Sequence, residues 1–298
     1  MIKKWNNFWF TPSTPLNLGV TRALFFLFIF QYSLFFDQFS RTWSGLPSEF
    51  WEPVFLISFF EKPPLNPDQY LGLFYLFAGF CLLAGIGLAS NITVKLTALL
   101  GTLLYAVRVS YTEGSHDNLV IVVFLWIFAF SRCGDGFSLD QKVKKSPGTK
   151  SGDYTWPIKL MWLMFGAVYF SAACSKIQNA GMAWIWGDTL KNYLLFSHYK
   201  TDLDTLGLKL GLAKWMAQFT LLCRVGGLFT VIIEGMTLFC SFSKRLRHIF
   251  IPLIFFWHVG FHFTSSNGFF NMIAIYFCWV NWEFVLSQLS FKKLNKAV

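Results

Sequence analysis

The chain has 298 residues, of which 55% are hydrophobic and 20% aromatic, while only 13% are charged, against roughly 25% in an ordinary soluble domain. This balance excludes a water-soluble globule and implies one all-α, polytopic membrane domain over residues 1–298, because each crossing helix takes about 20 apolar residues plus a connection. The net charge of +10 calls for no nucleic-acid partner, since the inner rim of a membrane protein accounts for it.

At the start, Lys3 and Lys4 precede Trp5, Phe8, Trp9 and Phe10. No small-residue cleavage site follows the apolar run after them, so residues 1–15 are expected to form an interfacial anchor rather than a removable leader. Hydropathy then predicts about eight spans: Leu18 to Phe36, Tyr70 to Ala89, Thr93 to Tyr111, Leu119 to Phe130, Trp156 to Ile177, Leu221 to Phe242, Ile249 to Phe263 and Phe269 to Trp282. The fourth and seventh are short and need tilt or partial burial. Three further stretches, Pro47 to Phe60, Met182 to Phe196 and Leu203 to Phe219, are expected as amphipathic helices on or near one membrane face. Residues 283–298 are expected to be a basic tail.

Lysine and arginine collect at cytoplasmic ends, which orients this arrangement. With the N-terminus inside, about sixteen of the 25 cations fall inside, including Lys3, Lys4, Arg132, Lys244, Arg245 and the Lys142-Val-Lys-Lys loop. Both termini are then cytoplasmic. The six cysteines are scattered without a CxxC pair, and there is no HExxH, GxGxxG or GxxxxGK[ST] sequence, so neither a metal centre nor a nucleotide site is expected.

The ionisable residues inside apolar runs remain as candidates, because such groups in a membrane bundle mark functional sites by default. Lys176 stands near the end of the fifth span. An amine held at a membrane rim loses hydration, which disfavours its charged form and brings a basic, neutral amine within reach. His116 borders the third and fourth spans and His262 closes the seventh, both on the outer side with Lys176. Tyr169 lies seven residues before Lys176, close to two helical turns and on the same face. His258 is one turn before His262, and Ser115 precedes His116. Glu234 is a lone carboxylate in the sixth span, costly enough to require a partner or a proton. The plainer roles are a lysine snorkelling to the headgroups and histidines held by interfacial hydrogen bonds.

The run Tyr169-Phe-Ser-Ala-Ala-Cys-Ser-Lys176, followed by Trp184 and Gly187, resembles a segment of the vitamin K-dependent gamma-carboxylases. It is accompanied by His116-Asp-Asn-Leu and by His262-Phe-Thr-Ser-Ser-Asn with Tyr276 fourteen residues later. Three such motifs in this order are similar to the horizontally transferred transmembrane (HTTM) domain of bacterial relatives, over about Thr14 to Trp282. Ser175 and Ser115 depart from that pattern, which has a second lysine and an asparagine there. The family also carries a large lumenal portion after its membrane domain, whereas this sequence ends at Val298.

The resemblance implies an enzyme of a bacterial cytoplasmic membrane, with its site toward the extracytoplasmic face. Reduced vitamin K or menaquinone would be the cofactor, with O2 and CO2 as co-substrates. Lys176 would be the base and His116 its catalytic companion, with Tyr169, His262, His258 and Ser115 at the cofactor and Trp184 and Glu234 nearby. The lipid bilayer is one partner, and a secreted peptide substrate or an accessory protein another. The sequence leaves open a non-carboxylating maturation factor, similar to small HTTM proteins that process sporulation-delaying peptide toxins, and a transporter.

Overall fold

Long apolar runs with few breakers become long helices. The computed structural model describes residues 2–35, 45–54, 57–111, 116–144, 149–200, 211–265 and 272–294. Among them the chain is helical throughout, apart from loops and one two-residue bridge between Ser13 and Ser151. In chain order the helices are α1 (Ile2–Phe10), α2 (Leu16–Phe35), α3 (Pro67–Ile86), α4 (Ser90–Val109), α5 (His116–Phe130), α6 (Leu139–Lys144) and α7 (Trp156–Ala180). They continue with α8 (Ala183–Trp186), α9 (Thr189–Lys200), α10 (Leu212–Ala217), α11 (Thr220–Cys240), α12 (Lys244–Ser265), α13 (Ile273–Tyr276) and α14 (Trp282–Leu294).

Five stretches are long and apolar enough to cross a bilayer: Leu16–Leu34, Pro67–Ile86, Ser90–Val109, Gly152–Ala180 and Thr220–Cys240. These correspond to five of the eight predicted spans. Two more, α5 and α12, are helices as predicted, but α5 has 15 residues and α12 opens on cations and contains Pro252.

The eighth predicted span is not one helix in its described part. The single turn α13 passes into a 3-10 turn at Phe277–Trp279 and then into non-helical Val280. Its apolar residues are used for packing: Met272, Ala274, Ile275 and Cys278 are buried, and the segment lies against α2. The basic tail is also partly helical, as α14, whose first turn is tied to α2 by the Glu283 amide donating to Asn17 Oδ1 at 2.9 Å. A second correction falls at Pro47 to Phe60, where the described residues form a 3-10 turn at Ser48–Phe50, short turns about Ile57 and otherwise irregular chain. Pro47 and Pro53 interrupt it, and Ser110 at the end of α4 receives its backbone donors: Glu52 N–H gives to Ser110 O at 2.7 Å and Val54 N–H to Ser110 Oγ at 3.2 Å. The predicted helix at Met182 to Phe196 is present as α8 and α9. Of Leu203 to Phe219, residues 203–210 lie outside the described residues and the remainder contains α10.

Two compact units divide the chain, residues 1–161 with 271–298, and residues 162–270. In the first, α2 packs on α3, α3 on α4 and α4 on α5. Phe25, Phe26, Phe124 and Phe128 form its aromatic centre, with Phe25 and Phe128 centroids 5.2 Å apart. Asn66 and Gln69 cap the start of α3 reciprocally, with Pro67 in the first turn. Gly87, at φ +74°, ends α3, and the Asp140 carboxylate then accepts from the Ala89 and Ser90 amides at the start of α4.

Arg22 reaches into this junction with no exposed surface, donating from Nη2 to Phe137 O at 2.6 Å. A cation inside an apolar helix is tolerable only with such partners, and Asp140 adds a nearby negative charge. Arg22→Leu is expected to cost about 1.5–3 kcal/mol, the range for a charged hydrogen bond. Unfolding of the purified chain in detergent checks this, and a variant as stable as the wild type would show that Arg22 is dispensable.

In the second unit, α11 and α12 form an antiparallel hairpin closed by Arg247. Its guanidinium donates to Cys240 O at 3.2 Å and Ser241 O at 3.4 Å and stands 3.5 Å from the Trp162 ring centroid. On the other side Leu190, Leu194, Ala213, Ala217 and Cys223 join α9, α10 and α11 in one apolar cluster.

Candidate functional site

The second half of α7 runs antiparallel to α11 at close range. Gly166 faces Leu238 and Thr237, with Thr237 Oγ1 donating to Gly166 O at 3.3 Å, and Ala173 faces Gly235. As numbers rise on one helix they fall on the other. A methyl group built on Gly166 would stand 2.7 Å from Leu238 Cα, so only glycine permits this approach.

That antiparallel arrangement makes the central pair. Helical side chains lean toward the N-terminus of their own helix, so Lys176 on α7 and Glu234 on α11 lean toward each other. Lys176 Nζ meets Glu234 Oε2 at 2.6 Å, with the side chains 20% and 9% exposed. The amine ends on a carboxylate of the neighbouring helix. Glu234 has the partner its position demanded.

Beyond Lys176, α7 ends one turn later at Gly181, whose φ of +56° allows the chain to reverse, with Gly181 N–H bonded to Ile177 O at 2.9 Å. The reversal brings α8 back, and Lys176 Nζ lies 5.4 Å from the Trp184 ring centroid. Gly227 on α11 admits α8, since a methyl group there would stand 2.8 Å from Trp184 O. The amine is therefore held between a carboxylate and an aromatic face.

Seven residues before Lys176, about 10 Å along the axis, Tyr169 Oη is 3.2 Å from His258 Nδ1 on α12, and the two rings are 5.1 Å apart. Tyr169 is buried. His262 lies one turn beyond His258 and is half-buried. Lys176, Glu234, Trp184, Tyr169, His258 and His262 thus all belong to the second unit. The pairing of Lys176 with Glu234 and that of Tyr169 with His258 are absent from the sequence analysis, which puts Lys176 at a membrane rim and leaves the partner of Glu234 open. The signal for the first was present as two lone opposite charges in neighbouring apolar runs.

His116 opens α5 in the first unit, and its side chain lies outside the described residues, as does Ser115 altogether. None of the six cysteines is in a disulfide, and among the described residues no group of three His, Cys, Asp or Glu side chains is placed to hold a metal ion.

The polar and aromatic groups gathered here are a part-exposed charge pair, the indole of Trp184 and the Tyr169–His258 couple. Chemically a hydrogen-bonded ammonium–carboxylate pair can hold and pass a proton.

Fold and site together define, over the described residues, an all-helical integral membrane protein with a part-buried lysine–glutamate pair. No family model, curated protein or solved structure matches the chain. The resemblance of the Tyr169 to Lys176 run therefore stands on its residues.

Proposed function

We propose that this protein is a membrane oxidoreductase of the HTTM, vitamin K-dependent carboxylase-like kind, which uses Lys176 as base toward a hydroxyl of a reduced quinone. When bound, vitamin K hydroquinone or menaquinol supplies the reducing equivalents, so that quinol and O2 give quinone epoxide and water. The observation that supports this reading is the Lys176–Glu234 contact at 2.6 Å, a proton-holding pair next to an aromatic face in an apolar bundle. Trp184, Tyr169, His258 and His262 are the residues that would hold the ring and its oxygens. In this reading α5 and α12 cross the membrane beside the five long apolar helices, and the chain that runs back along α2 from Phe277 at Phe28 to Glu283 at Asn17 makes the eighth crossing, so that both termini are cytoplasmic and the pair lies toward the extracytoplasmic side. Carboxylation of glutamate in a secreted peptide, with CO2 as co-substrate, is the coupled step that the resemblance implies.

Purified full-length protein given menaquinol or vitamin K hydroquinone and oxygen should form the quinone epoxide. Lys176→Arg keeps a cation opposite Glu234 but cannot give up a proton at working pH, and it is expected to lose at least about 100-fold in rate. Failure of the wild-type protein to form epoxide from either quinol would sink the proposal. A CO2 mass gain on glutamate of a co-expressed secreted peptide identifies the coupled carboxylation, and its absence alongside epoxidation favours a maturation role.

A charge pair between spanning helices also suits proton-coupled transport. That second reading is distinguished by substrate flux in sealed vesicles without oxygen consumption.

A further inference from the structure

An ammonium has no lone pair, so an amine held as a cation cannot accept a proton until it has released one. Among the described residues, the hydrogen-bond acceptor that Lys176 Nζ meets is Glu234 Oε2. The helices aim both groups at that contact from opposite directions, at a level where Gly235 lies beside Ala173. Trp184 lies on the ammonium, 5.4 Å from Nζ to ring centroid, and stabilises whichever cation remains there.

We infer that the base of this site is the pair rather than the amine alone, with Glu234 the positioning residue that draws a proton from Lys176 and keeps it after Lys176 has taken one from a bound hydroxyl. The identity of that hydroxyl rests on the function proposed above; the path of the proton does not. In the resting pair the nitrogen carries three protons and the carboxylate none, for a net charge of zero. First the N–H bond directed at Oε2 breaks and an O–H bond forms on Glu234; the neutral amine, turned about its Cε–Nζ bond so that its lone pair meets the hydroxyl, then takes the hydroxyl proton as that O–H bond breaks. The products are an oxyanion, an ammonium with three protons and a neutral carboxylic acid. Total charge is unchanged and no electron moves between groups.

This assignment gives Glu234 a role that an ordinary buried salt bridge lacks. A structural pair needs only its charges, whereas here the carboxylate has to be empty before turnover and filled after it. The other ionisable side chains that the surrounding elements carry toward this end are Tyr169 and Cys174 on α7, Asp188 before α9 with Lys191 and Tyr193 on it, Cys223 and Arg224 on α11, and His258 and His262 on α12; α8 carries none.

Infrared difference spectroscopy of the full-length protein in lipid nanodiscs reads the carboxyl directly, without need of a quinol. At neutral pH the wild type should show no protonated-carboxyl band from Glu234. Acidification should bring one up, and Glu234→Gln should remove it. In Lys176→Met the band should already be present at neutral pH, because a lone buried carboxylate takes up a proton rather than stay charged, and the double variant should lack it. A Lys176→Met spectrum without that band, or an acid-induced band that survives Glu234→Gln, overturns the inference. In quinol oxidation, Glu234→Asp should keep most of the rate while Glu234→Gln loses at least tenfold and changes the pH profile. A Glu234→Gln enzyme with wild-type rate and profile also overturns it. Wild-type protein with the predicted spectra but no quinol oxidation would instead overturn the proposed reaction and leave the pair established.

Discussion

Lys176→Met is expected to destabilise the folded protein by about 3–5 kcal/mol, and Glu234→Leu by a similar amount, whereas the double substitution should recover most of that loss. Each single change leaves one group of the pair inside an apolar bundle without its counterion, and Glu234 is only 9% exposed, so water cannot replace the missing partner. Replacing both removes the unpaired group along with its partner. Methionine follows the lysine stem closely, and leucine fills most of the volume of the glutamate, so packing changes stay small beside the electrostatic effect. Denaturant unfolding of the four proteins in the same detergent gives the cycle. Additive losses in the double variant would mean that the two side chains do not interact, and with that the geometric basis of the site would be gone.

The same pair shows where sequence reading reaches and where it stops. Lys176 and Glu234 are both visible as isolated charges in apolar runs, and each alone signals a site. Which charge meets which depends on helix direction and register, and these follow from close contacts such as Gly166 with Leu238 and Ala173 with Gly235, to which hydropathy is blind. Seven of the eight apolar runs are helices because each offers an unbroken apolar stretch that satisfies its own backbone. The run from Phe269 to Trp282 misleads for a physical reason: composition does not tell an apolar residue that faces lipid from one that faces protein, and Ile275, Cys278 and Met272 are all buried. At Pro47 to Phe60 the apolar residues suggested an amphipathic helix, but Trp51 instead donates from its indole to Phe60 O at 3.0 Å and packs on Tyr111 at the end of α4. That fold-back is a long-range contact, and no local periodicity encodes it.

Tyr169 illustrates the middle ground. Its spacing from Lys176 placed both on one face of α7, and that follows from 3.6 residues per turn alone. Each then meets a different helix, Tyr169 on α12 and Lys176 on α11, because the α11–α12 hairpin presents two antiparallel surfaces to one stripe of α7. The stripe thus carries two hydrogen-bonded couples at two depths, about 10 Å apart. Only the upper one contains groups of opposite charge, which is why the proton chemistry is assigned there.

Gly166→Ala should separate these helices and uncouple the site. The added methyl group would lie 2.7 Å from Leu238 Cα and 3.0 Å from Thr237 O, and both are backbone atoms that no rotamer change can move aside. Overpacking of this kind costs about 1–3 kcal/mol, which leaves a folded protein whose α7 and α11 have shifted apart at the level of the pair. A misplacement of about 1 Å at a reacting group lowers rate by roughly 100-fold, so quinol oxidation should fall far more than stability does. The shift can be measured without turnover. Ala173 Cβ lies 3.9 Å from where a Cβ on Gly235 would stand, close to the roughly 3.8 Å that a disulfide requires. In a Cys174→Ser background, Ala173→Cys with Gly235→Cys should therefore cross-link on mild oxidation, seen as two linked peptides by mass spectrometry after cleavage. Adding Gly166→Ala should slow that cross-linking at least tenfold. Efficient cross-linking in its presence would show that the glycine does not set the helix spacing, and failure in the parent pair would show that the register of α7 on α11 is not the one that brings Lys176 to Glu234.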